Sequence, residues 1–154
     1  MSIVIRPMTR GDVTSAVHVV IDGSLSPASE DPDAIESYWS AVVETRAHRG
    51  DVLVAERDGE VVGVCQVMIF QHFQHTRGWC CELESVYVRE DCRSQGIGTA
   101  LFSSAEMLAR NNSCYRMQLT SRNVRLEAHR FCAAQGFEQT SQDFKKSLSA
   151  EYFS

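Results

Sequence analysis

The sequence lacks long hydrophobic runs. No window approaches the roughly 18 apolar residues that a membrane-spanning helix needs. The apolar run near the start, Ile3 to Ile5, is too short for the core of a signal peptide. We therefore expect a cytoplasmic protein with no membrane partner.

The sequence also lacks paired metal or redox cysteines. Its six cysteines form no C-x-x-C pair, which argues against a zinc ribbon or a thioredoxin-like motif. In a reducing compartment they are expected to be buried, mostly structural thiols. Neighbouring Cys80 and Cys81 would point to opposite faces of a strand. Repeats, low-complexity tracts and linkers are absent as well.

Size and charge favour one acidic domain. The chain has 154 residues, 44% of them hydrophobic, which suits a single domain over residues 1–154 with one real core. The net charge of −5 and the pI of about 5.5 argue against nucleic acid as a general partner. The same charge is compatible with a cationic substrate such as an amine.

Periodicity predicts a mixed α/β fold in the order β-α-α-β-β-β-α-β-α-β-β. Thr9 and Asp12 form a capping-box-like helix start, and Asp58-Gly59 is a hairpin turn signal. Leu83, Ser85 and Tyr87 are expected on one face of a later strand, with Glu84, Val86 and Val88 on the other. The predicted elements are a strand at 3–5, helices from Val13 and over 34–47, a hairpin over 51–70, strands at 81–88 and from Cys114, helices from Ile97 and over 124–135, and a closing hairpin in FEQT and FKKSL.

A glycine loop lies between a predicted strand and a predicted helix. Arg93, Gly96 and Gly98 have the spacing R-x-x-G-x-G, which is typical of a cradle for an anion at a helix N-terminus. The dinucleotide pattern G-x-G-x-x-G and the P-loop pattern are both absent. Taken alone, the loop is equally consistent with a tight strand-to-helix turn.

Two separated stretches together resemble the GNAT acyltransferase family. They are ELESVYVREDCRSQGIGTALF and LTSRNVRLEAHRFCAAQGF, and the predicted element order agrees with that family. Within it, the sequence is similar to aminoalkylphosphonate N-acetyltransferases in GEVVG, FQHFQHTRGW, LTSRN, AHRF and GFEQT. The resemblance covers nearly the whole chain.

The resemblance implies acetyl-CoA as the cofactor. Backbone N–H groups of the glycine loop would hold its pyrophosphate, and the pantetheine arm would pair with the edge of the 81–88 strand as an added strand does. Asn123 would contact the cofactor or act as an ordinary N-cap. His129 and Arg130 would reach the phosphates or lie on a solvated helix face. The implied cofactor-binding residues are Val86, Tyr87, Val88, Arg93, Ser94, Gln95, Gly96, Ile97, Gly98, Thr99, Asn123 and Arg130.

The implied reaction is attack of a neutral amine on the acetyl-CoA thioester. It needs a base, a donor for the developing oxyanion and an acid for the leaving thiolate. Glu84 is the first candidate base, with Glu82 as the alternate, and a backbone N–H near Val86 is the implied oxyanion donor. The family places a tyrosine acid after the Phe131 position, whereas this sequence has Cys132. Cys132 could be the acid, Tyr87 or water could take over, or no acid is needed.

Two histidines lie between the third and fourth predicted strands. His72 and His75 are three residues apart, so a regular strand would separate them, whereas a loop could bring them together. With Arg77 they are candidate substrate-binding residues, for example for a phosphonate, or polar residues at a solvated strand end. No motif indicates a metal, although the phosphonate-type resemblance makes a divalent metal conceivable.

We expect an N-acetyltransferase that moves an acetyl group from acetyl-CoA to a small primary amine in a ternary complex. An aminoalkylphosphonate is the first substrate hypothesis. The alternatives are a protein or peptide amine acetyltransferase and a CoA-binding regulatory module with little catalysis. Family members are often homodimers, so a homodimer is also expected. The acceptor and the preferred acyl length are left open.

Overall fold

The computed structural model describes residues 2–149 as five strands and four principal helices. No helix in that range is long and apolar enough to cross a membrane. Short turns of helix also occur at Arg10–Asp12, Pro27–Ser29, Gln74–Arg77 and Glu90–Cys92. The strands are β1 (Ile3–Pro7), β2 (Asp51–Arg57), β3 (Glu60–Gln71), β4 (Trp79–Val88) and β5 (Cys114–Leu119), and the helices are α1 (Val13–Gly23), α2 (Ile35–Ala47), α3 (Ile97–Asn111) and α4 (Leu126–Ala134).

The strands form one sheet in the order β1-β2-β3-β4-β5. The first four strands pair antiparallel with their neighbours, and β5 lies parallel to β4. The parallel step needs a crossover, which α3 supplies. The predicted mixed α/β class is therefore confirmed, as is the element order through α4.

Helices cover both faces of the sheet and divide the core into two clusters. In the first cluster α3 packs on one face, and in the second α1 and α2 pack on the other. Strand β2 is buried on both sides because alternate residues enter the two clusters. Leu101 of α3 is fully buried in the first cluster, and truncation of such a side chain costs about 2–5 kcal/mol.

Local signals in the sequence account for two of the connections. Asp58 and Gly59 both have left-handed φ angles, +52° and +83°, as a type I′ hairpin turn requires. The capping box of Thr9 and Asp12 is present. Arg6 also holds Asp12 through two bonds of 2.7 and 2.9 Å. The Arg6 hydrogen bonds lower the pKa of Asp12 to about 2.

The six cysteines are all free thiols. Cys80 and Cys81 face opposite sides of β4, as predicted: Cys81 lies in the first cluster, whereas the Cys80 sulfur lies 3.5 Å from Oε1 of Gln118. Burial raises the pKa of Cys65 and of Cys81 to about 12. These two thiols therefore stay protonated at neutral pH, consistent with structural roles.

The predicted closing hairpin is wrong within the described residues. Residues 137–149 contain no strand, so the sheet as described ends at β5. Two apolar side chains of this segment, Phe144 and Leu148, are 89% and 92% exposed. A strand is held in a sheet largely by burying one face, and these side chains bury almost nothing.

Candidate functional site

Strand β4 contains a bulge at Ser85. Glu84 lies opposite Gln66 of β3 and Tyr87 lies opposite Val64, so that Ser85 and Val86 together oppose one β3 residue. Ser85 has a left-handed φ of +51°. One extra residue on one strand is the definition of a β-bulge, which leaves backbone groups out of the ladder and bends the strand.

The bulge corrects the predicted faces of β4. Leu83, Val86 and Val88 all belong to the first cluster, whereas Tyr87 packs against the second. The expectation that Leu83 shares a face with Tyr87 is therefore wrong, because the extra residue shifts the alternation by one position. As a result Glu84 and Tyr87 lie on the same face, on the side of α1 and α2.

The two parallel strands stop pairing just before the bulge. The ladder between β4 and β5 runs from Trp79 opposite Cys114 to Leu83 opposite Leu119. Beyond it, β4 continues to Val88 and pairs with β3 on its other side. The β5-facing edge at residues 84–88 is thus outside the ladder, and such an edge can accept an added strand.

The glycine loop places the start of α3 next to the end of β4. Gly96 is the N-cap with a φ of +86°, and the first helical hydrogen bond runs from Ala100 N to Gly96 O at 3.0 Å. The N–H groups of residues 97–99 precede that bond, so they are free to bind an anion at the positive end of the helix dipole. A Cβ added to Gly96 would meet no atom within 4 Å, so the loop borders open space.

Loop side chains hold this backbone in shape. Arg93 donates from Nε to the carbonyl oxygen of Val88 at 2.9 Å. Gln95 accepts a hydrogen bond from Arg57 and donates to the Asp91 carbonyl oxygen at 3.3 Å. The described contacts of Arg93 and Gln95 are thus with the loop and its neighbours, and the backbone of residues 97–99 presents the anion-binding groups.

Gly98 has a packing role as well. A Cβ there would lie 3.0 Å from Cζ of Phe131 on α4. The Phe131 ring also stacks edge-on against Phe102 with 5.0 Å between ring centres. The second glycine of the motif therefore lets α4 close onto the N-terminus of α3, and this contact places Cys132 beside the first cluster.

The segment between β5 and α4 contains a buried hydroxyl with no partner. Ser121 Oγ is the buried side-chain oxygen or nitrogen that finds no hydrogen bond within residues 2–149. It follows the end of β5, close to where the ladder with β4 stops. A buried orphan of this kind is a place where a bound ligand can supply the missing bond. The sequence analysis missed Ser121, although it lies within the LTSRN stretch.

Asn123 and Arg130 are both exposed. The N-cap of α4 is Arg125 and has no side-chain capping bond, so the interpretation of Asn123 as an ordinary N-cap is wrong. His129 bonds back to the Arg122 carbonyl oxygen at 2.9 Å. The predicted cofactor contacts of Asn123 and Arg130 stay predictions.

Glu84 is a half-buried carboxylate directly before the bulge. Burial raises its pKa above the ordinary range, and the neighbouring negative charge of Glu82 raises it further. The charge of Lys145 lowers the pKa of Glu84, and that of Asp143 raises it. A carboxyl with a raised pKa is suited to accept a proton near neutral pH.

Cys132 is partly buried and packs against the first cluster. Burial raises the pKa of its thiol, so the group is protonated at neutral pH. The protonated form is the one that a general acid needs. The same packing is equally typical of a small apolar filler.

Arg125 joins the start of α4 to the end of α1. Its Nη2 donates to the Gly23 carbonyl oxygen at 2.8 Å, and its guanidinium lies 5.8 Å from the centre of the Tyr87 ring. This places a cation on the face of β4 that carries Glu84. Nothing in the local sequence pattern distinguished Arg125 from the other arginines nearby.

His72, His75 and Arg77 lie at the other end of β4. The loop does bring the histidines together: His72 Nδ1 is 2.5 Å from the Tyr115 hydroxyl, and the His75 ring centre is 5.2 Å from that of Tyr115. Arg77 accepts a bond from Gln71 through its carbonyl oxygen. Five residues separate Trp79 from Glu84, which is ~16 Å along a strand, so the structure does not bring this group to Glu84.

Metal-ligating side chains do not converge in the described part of the chain. Residues 2–149 hold no group of three or more His, Cys, Asp or Glu side chains that could bind a metal ion. The cluster of His72, His75 and Tyr115 offers two imidazole rings and one phenol. The structure therefore does not indicate a metal site.

Comparisons with known proteins agree with this geometry. Residues 19–137 match the Acetyltransferase (GNAT) family. The chain is 34% identical over 95 residues to the aminoalkylphosphonate N-acetyltransferase of Salmonella typhimurium, a stretch that covers 62% of this chain and 61% of that protein. The aligned part thus spans less than two thirds of that relative.

Solved structures show the same fold over nearly the whole chain. The crystal structure of a transcriptional regulator from Bacillus halodurans C-125 superposes with a TM-score of 0.87 at 29% identity, covering 96% of this chain and 100% of that one. AAC(6')-Iy, solved in complex with the bisubstrate analog CoA-S-monomethyl-acetylneamine, superposes with a TM-score of 0.79 at 16% identity, covering 97% and 100%.

The fold and the family match together define the class of protein: this chain belongs to the GNAT acetyltransferase family.

Proposed function

We propose that this protein transfers an acetyl group from acetyl-CoA to the primary amine of a small molecule. The observation that carries the proposal is the β4 edge at residues 84–88, which has the bulge at Ser85 and no β5 partner and contains the half-buried Glu84. Family membership supports the same activity.

The described residues fit coenzyme A. The N–H groups of residues 97–99 would hold its pyrophosphate, and the open space at Gly96 admits it. The β4 edge at residues 84–88 would pair with the pantetheine arm, and Ser121 Oγ lacks a partner that a ligand could supply. When bound, acetyl-CoA supplies the acetyl group as a thioester.

The residues of the chain would then transfer the protons and stabilise the negative charge that develops in the reaction. Glu84 accepts the proton that the amine loses, directly or through water, because burial and Glu82 raise the pKa of its carboxyl. The backbone N–H released by the bulge near Val86 donates to the oxygen on which negative charge develops. Cys132 remains the candidate proton donor for the leaving sulfur.

An aminoalkylphosphonate is the proposed acceptor. The 34% identical relative bears that name. The carboxylates of Glu82 and Glu84 suit the ammonium end of such a molecule, and Arg125, on the same face, suits its phosphonate end. We further propose that the chain works as a homodimer in the cytoplasm.

A thermal shift with acetyl-CoA and a thiol-release assay test the proposal. The amine panel contains an aminoalkylphosphonate, the matched alkylamine without the phosphonate, and a lysine peptide. We expect a shift, and the highest kcat/KM with the phosphonate. A preference for the peptide would favour the protein-acetylating alternative, and the absence of any shift would indicate a different ligand.

The role of Glu84 has its own test. Glu84→Gln should lower kcat/KM by about 100-fold or more, the usual contribution of a general base, with little change in acetyl-CoA affinity. Glu82→Gln is the matched control on the same face and should cost less. Unchanged kinetics in Glu84→Gln would remove this residue from the mechanism.

A second candidate is a CoA-binding regulatory module. It is favoured by the 29% identical structure that is named a transcriptional regulator and by Cys132 at the position where the family resemblance implies a tyrosine. A clear shift with acetyl-CoA and no thiol release with any amine would support the module over the enzyme.

A further inference from the structure

A glutamine of β3 lies directly beside the candidate base. Gln66 and Glu84 are partners in the antiparallel ladder between β3 and β4. Residues that face each other in this way have Cβ atoms about 4.5–5.5 Å apart and point to the same face of the sheet. Gln66 also bonds to α2, which lies on that face. An amide therefore stands next to the Glu84 carboxyl, and no step of the proposed reaction uses it so far.

The orientation of the Gln66 amide is fixed by Thr45 of α2, a buried residue. The Thr45 hydroxyl donates its single proton to the Ala41 carbonyl oxygen at 2.7 Å. Because that proton is engaged, Thr45 Oγ1 can only accept, and Gln66 Nε2 donates to it at 3.0 Å. The reversed amide would set two oxygens against each other with no proton between them. The nitrogen therefore faces α2, and the oxygen points away from it.

Gln66 Oε1 is thus left as a free hydrogen-bond acceptor. Within residues 2–149 no donor reaches this oxygen. It is not a buried orphan like the hydroxyl of Ser121, so it is open to solvent or to a ligand. The neighbours of Gln66 in the sheet are Val52 of β2 and Glu84 of β4. Since α2 packs over β2, the side of the amide away from α2 is the side of Glu84.

We infer that Gln66 makes the enzyme selective for primary amines, an inference that rests on the proposed acetyl transfer. The lone pair of the neutral amine attacks the thioester carbonyl carbon, so that an N–C bond forms and the C–S bond breaks. The electron pair of the C–S bond leaves with the sulfur, which takes a proton from Cys132 or water. Glu84 takes one of the two amine protons. The second N–H, which the product amide keeps, donates to Gln66 Oε1.

A secondary amine has only one N–H to give. Once Glu84 has taken that proton, a carbon substituent occupies the place of the donor in front of Gln66 Oε1. The oxygen then loses water without gaining a bond. A site built to hydrogen-bond a group of its substrate discriminates strongly against an analogue that lacks the group. Gln66 thereby sets the class of amine that the site accepts.

The values of kcat/KM for the preferred primary amine of the panel and for its N-methyl derivative test this inference. We expect the wild type to favour the primary amine by about 100-fold or more. Gln66→Leu should lower kcat/KM for the primary amine by about 10-fold, the usual effect of one lost hydrogen bond. It should change the value for the N-methyl derivative by less than about threefold, so the ratio of the two values falls.

Two further variants sharpen this test. Thr45→Val keeps Gln66 but removes the acceptor for Nε2, so the amide can turn over and the ratio should fall by about threefold or more. Gln118→Leu is the matched control, because Gln118 lies on the same face but opposite Glu82 and not opposite Glu84. It should leave the ratio unchanged.

The outcomes separate this inference from the proposed function. A ratio that Gln66→Leu leaves unchanged overturns the selectivity role alone, as does a wild type without preference for the primary amine. Absence of turnover with every amine overturns the proposed acetyl transfer and this inference with it. Calorimetry with acetyl-CoA verifies that Gln66→Leu keeps a folded site. If that variant does not fold, Thr45→Val decides, and a wild-type ratio in Thr45→Val overturns the inference.

Discussion

The two ends of strand β4 share a backbone but have different surroundings. At the first end, up to Leu83, the strand pairs with β3 and β5, and Cys80 and Cys81 are fully buried. At the second end, the pairing with β5 has stopped, Ser85 adds one residue opposite β3, and Glu84 is half-buried with a raised pKa. The closed end is paired on both sides and buried, whereas the open end has an unpaired edge and carries the candidate site.

Deletion of Ser85 is expected to have the largest effect on the difference between the two ends of β4. Val86 would then oppose Cys65 alone, and Tyr87 would keep its partner Val64, so a regular ladder could form. We expect acetyl-CoA affinity to fall by about 100-fold or more, because the edge that would pair with the pantetheine loses its bulge. Isothermal titration calorimetry measures this.

Ser85→Gly is the control for the deletion. It keeps the bulge and suits the φ of +51°, so affinity should be retained and stability should rise by about 1 kcal/mol. Wild-type affinity in the deletion variant would show that the bulge does not create the site.

Gly96→Ala tests the glycine loop, which follows the open end of β4. A left-handed alanine costs about 1–2 kcal/mol, and relief of that strain would turn the N–H groups of residues 97–99 away from the anion. We expect acetyl-CoA affinity to drop about 10-fold, as each tenfold corresponds to 1.4 kcal/mol.

Gly59→Ala is the matched control for Gly96→Ala. Gly59 has a similar φ of +83° and equally open surroundings, but it lies in the β2–β3 turn. Gly59→Ala should show the same loss of stability as Gly96→Ala with no loss of acetyl-CoA affinity. Equal affinity losses in the two variants would assign the effect to general destabilisation.

Glu84→Gln should stabilise the fold at neutral pH. The folded state raises the pKa of Glu84. The contribution of this carboxyl to stability is therefore fully present below its unfolded pKa of about 4.3 and is lost as pH rises through the folded pKa. The Tm of the variant should therefore exceed that of the wild type at pH 7, and the gap should close near pH 4.

The pKa of Glu84 should also respond to a change at Glu82, whose charge is the second cause of its upward shift. Glu82→Gln removes the neighbouring negative charge, so the midpoint of the Glu84 titration should fall. Thermal melts across pH and the pH profile of kcat/KM should report the same direction. A Glu84→Gln variant less stable than wild type at pH 7 would indicate a structural ion pair instead.

The smallest effect is expected at the closed end. His72→Ala should change kcat/KM by less than about threefold, because His72 lies beyond Trp79, which is itself ~16 Å along β4 from Glu84, and so makes no contact with the reacting amine. Steady-state kinetics with the preferred amine measures this. A larger loss would restore the substrate role that the sequence predicts for His72.

Local patterns predicted most of the fold because their causes are local. The Asp58-Gly59 turn and the glycine at the start of α3 are backbone requirements that can be seen in a few residues. The bulge could not be predicted, because CELESVYV alternates as a regular strand does and Ser85 carries no special signal. The closing hairpin was wrong because strand formation depends on a partner and a buried face, which the pattern in FKKSL does not reveal.

The candidate site was predicted unevenly for the same reason. Glu84 and the glycine loop lie close together in sequence, and the structure keeps them at one end of β4. His72 was predicted as a candidate substrate-binding residue, but strand length and register place it at the other end of β4.

Gly23 shows how the packing around such a site restricts the substitutions that a position outside it can accept during evolution. A Cβ at this residue would lie 2.8 Å from Tyr87 Cδ1 and 3.2 Å from Arg93 Nη2. Its glycine is thus required by lack of room and not by backbone conformation. In descendants of this chain, a larger residue at position 23 should arise only after the aromatic ring at position 87 has become smaller. The two positions are expected to change in that order, as a linked pair.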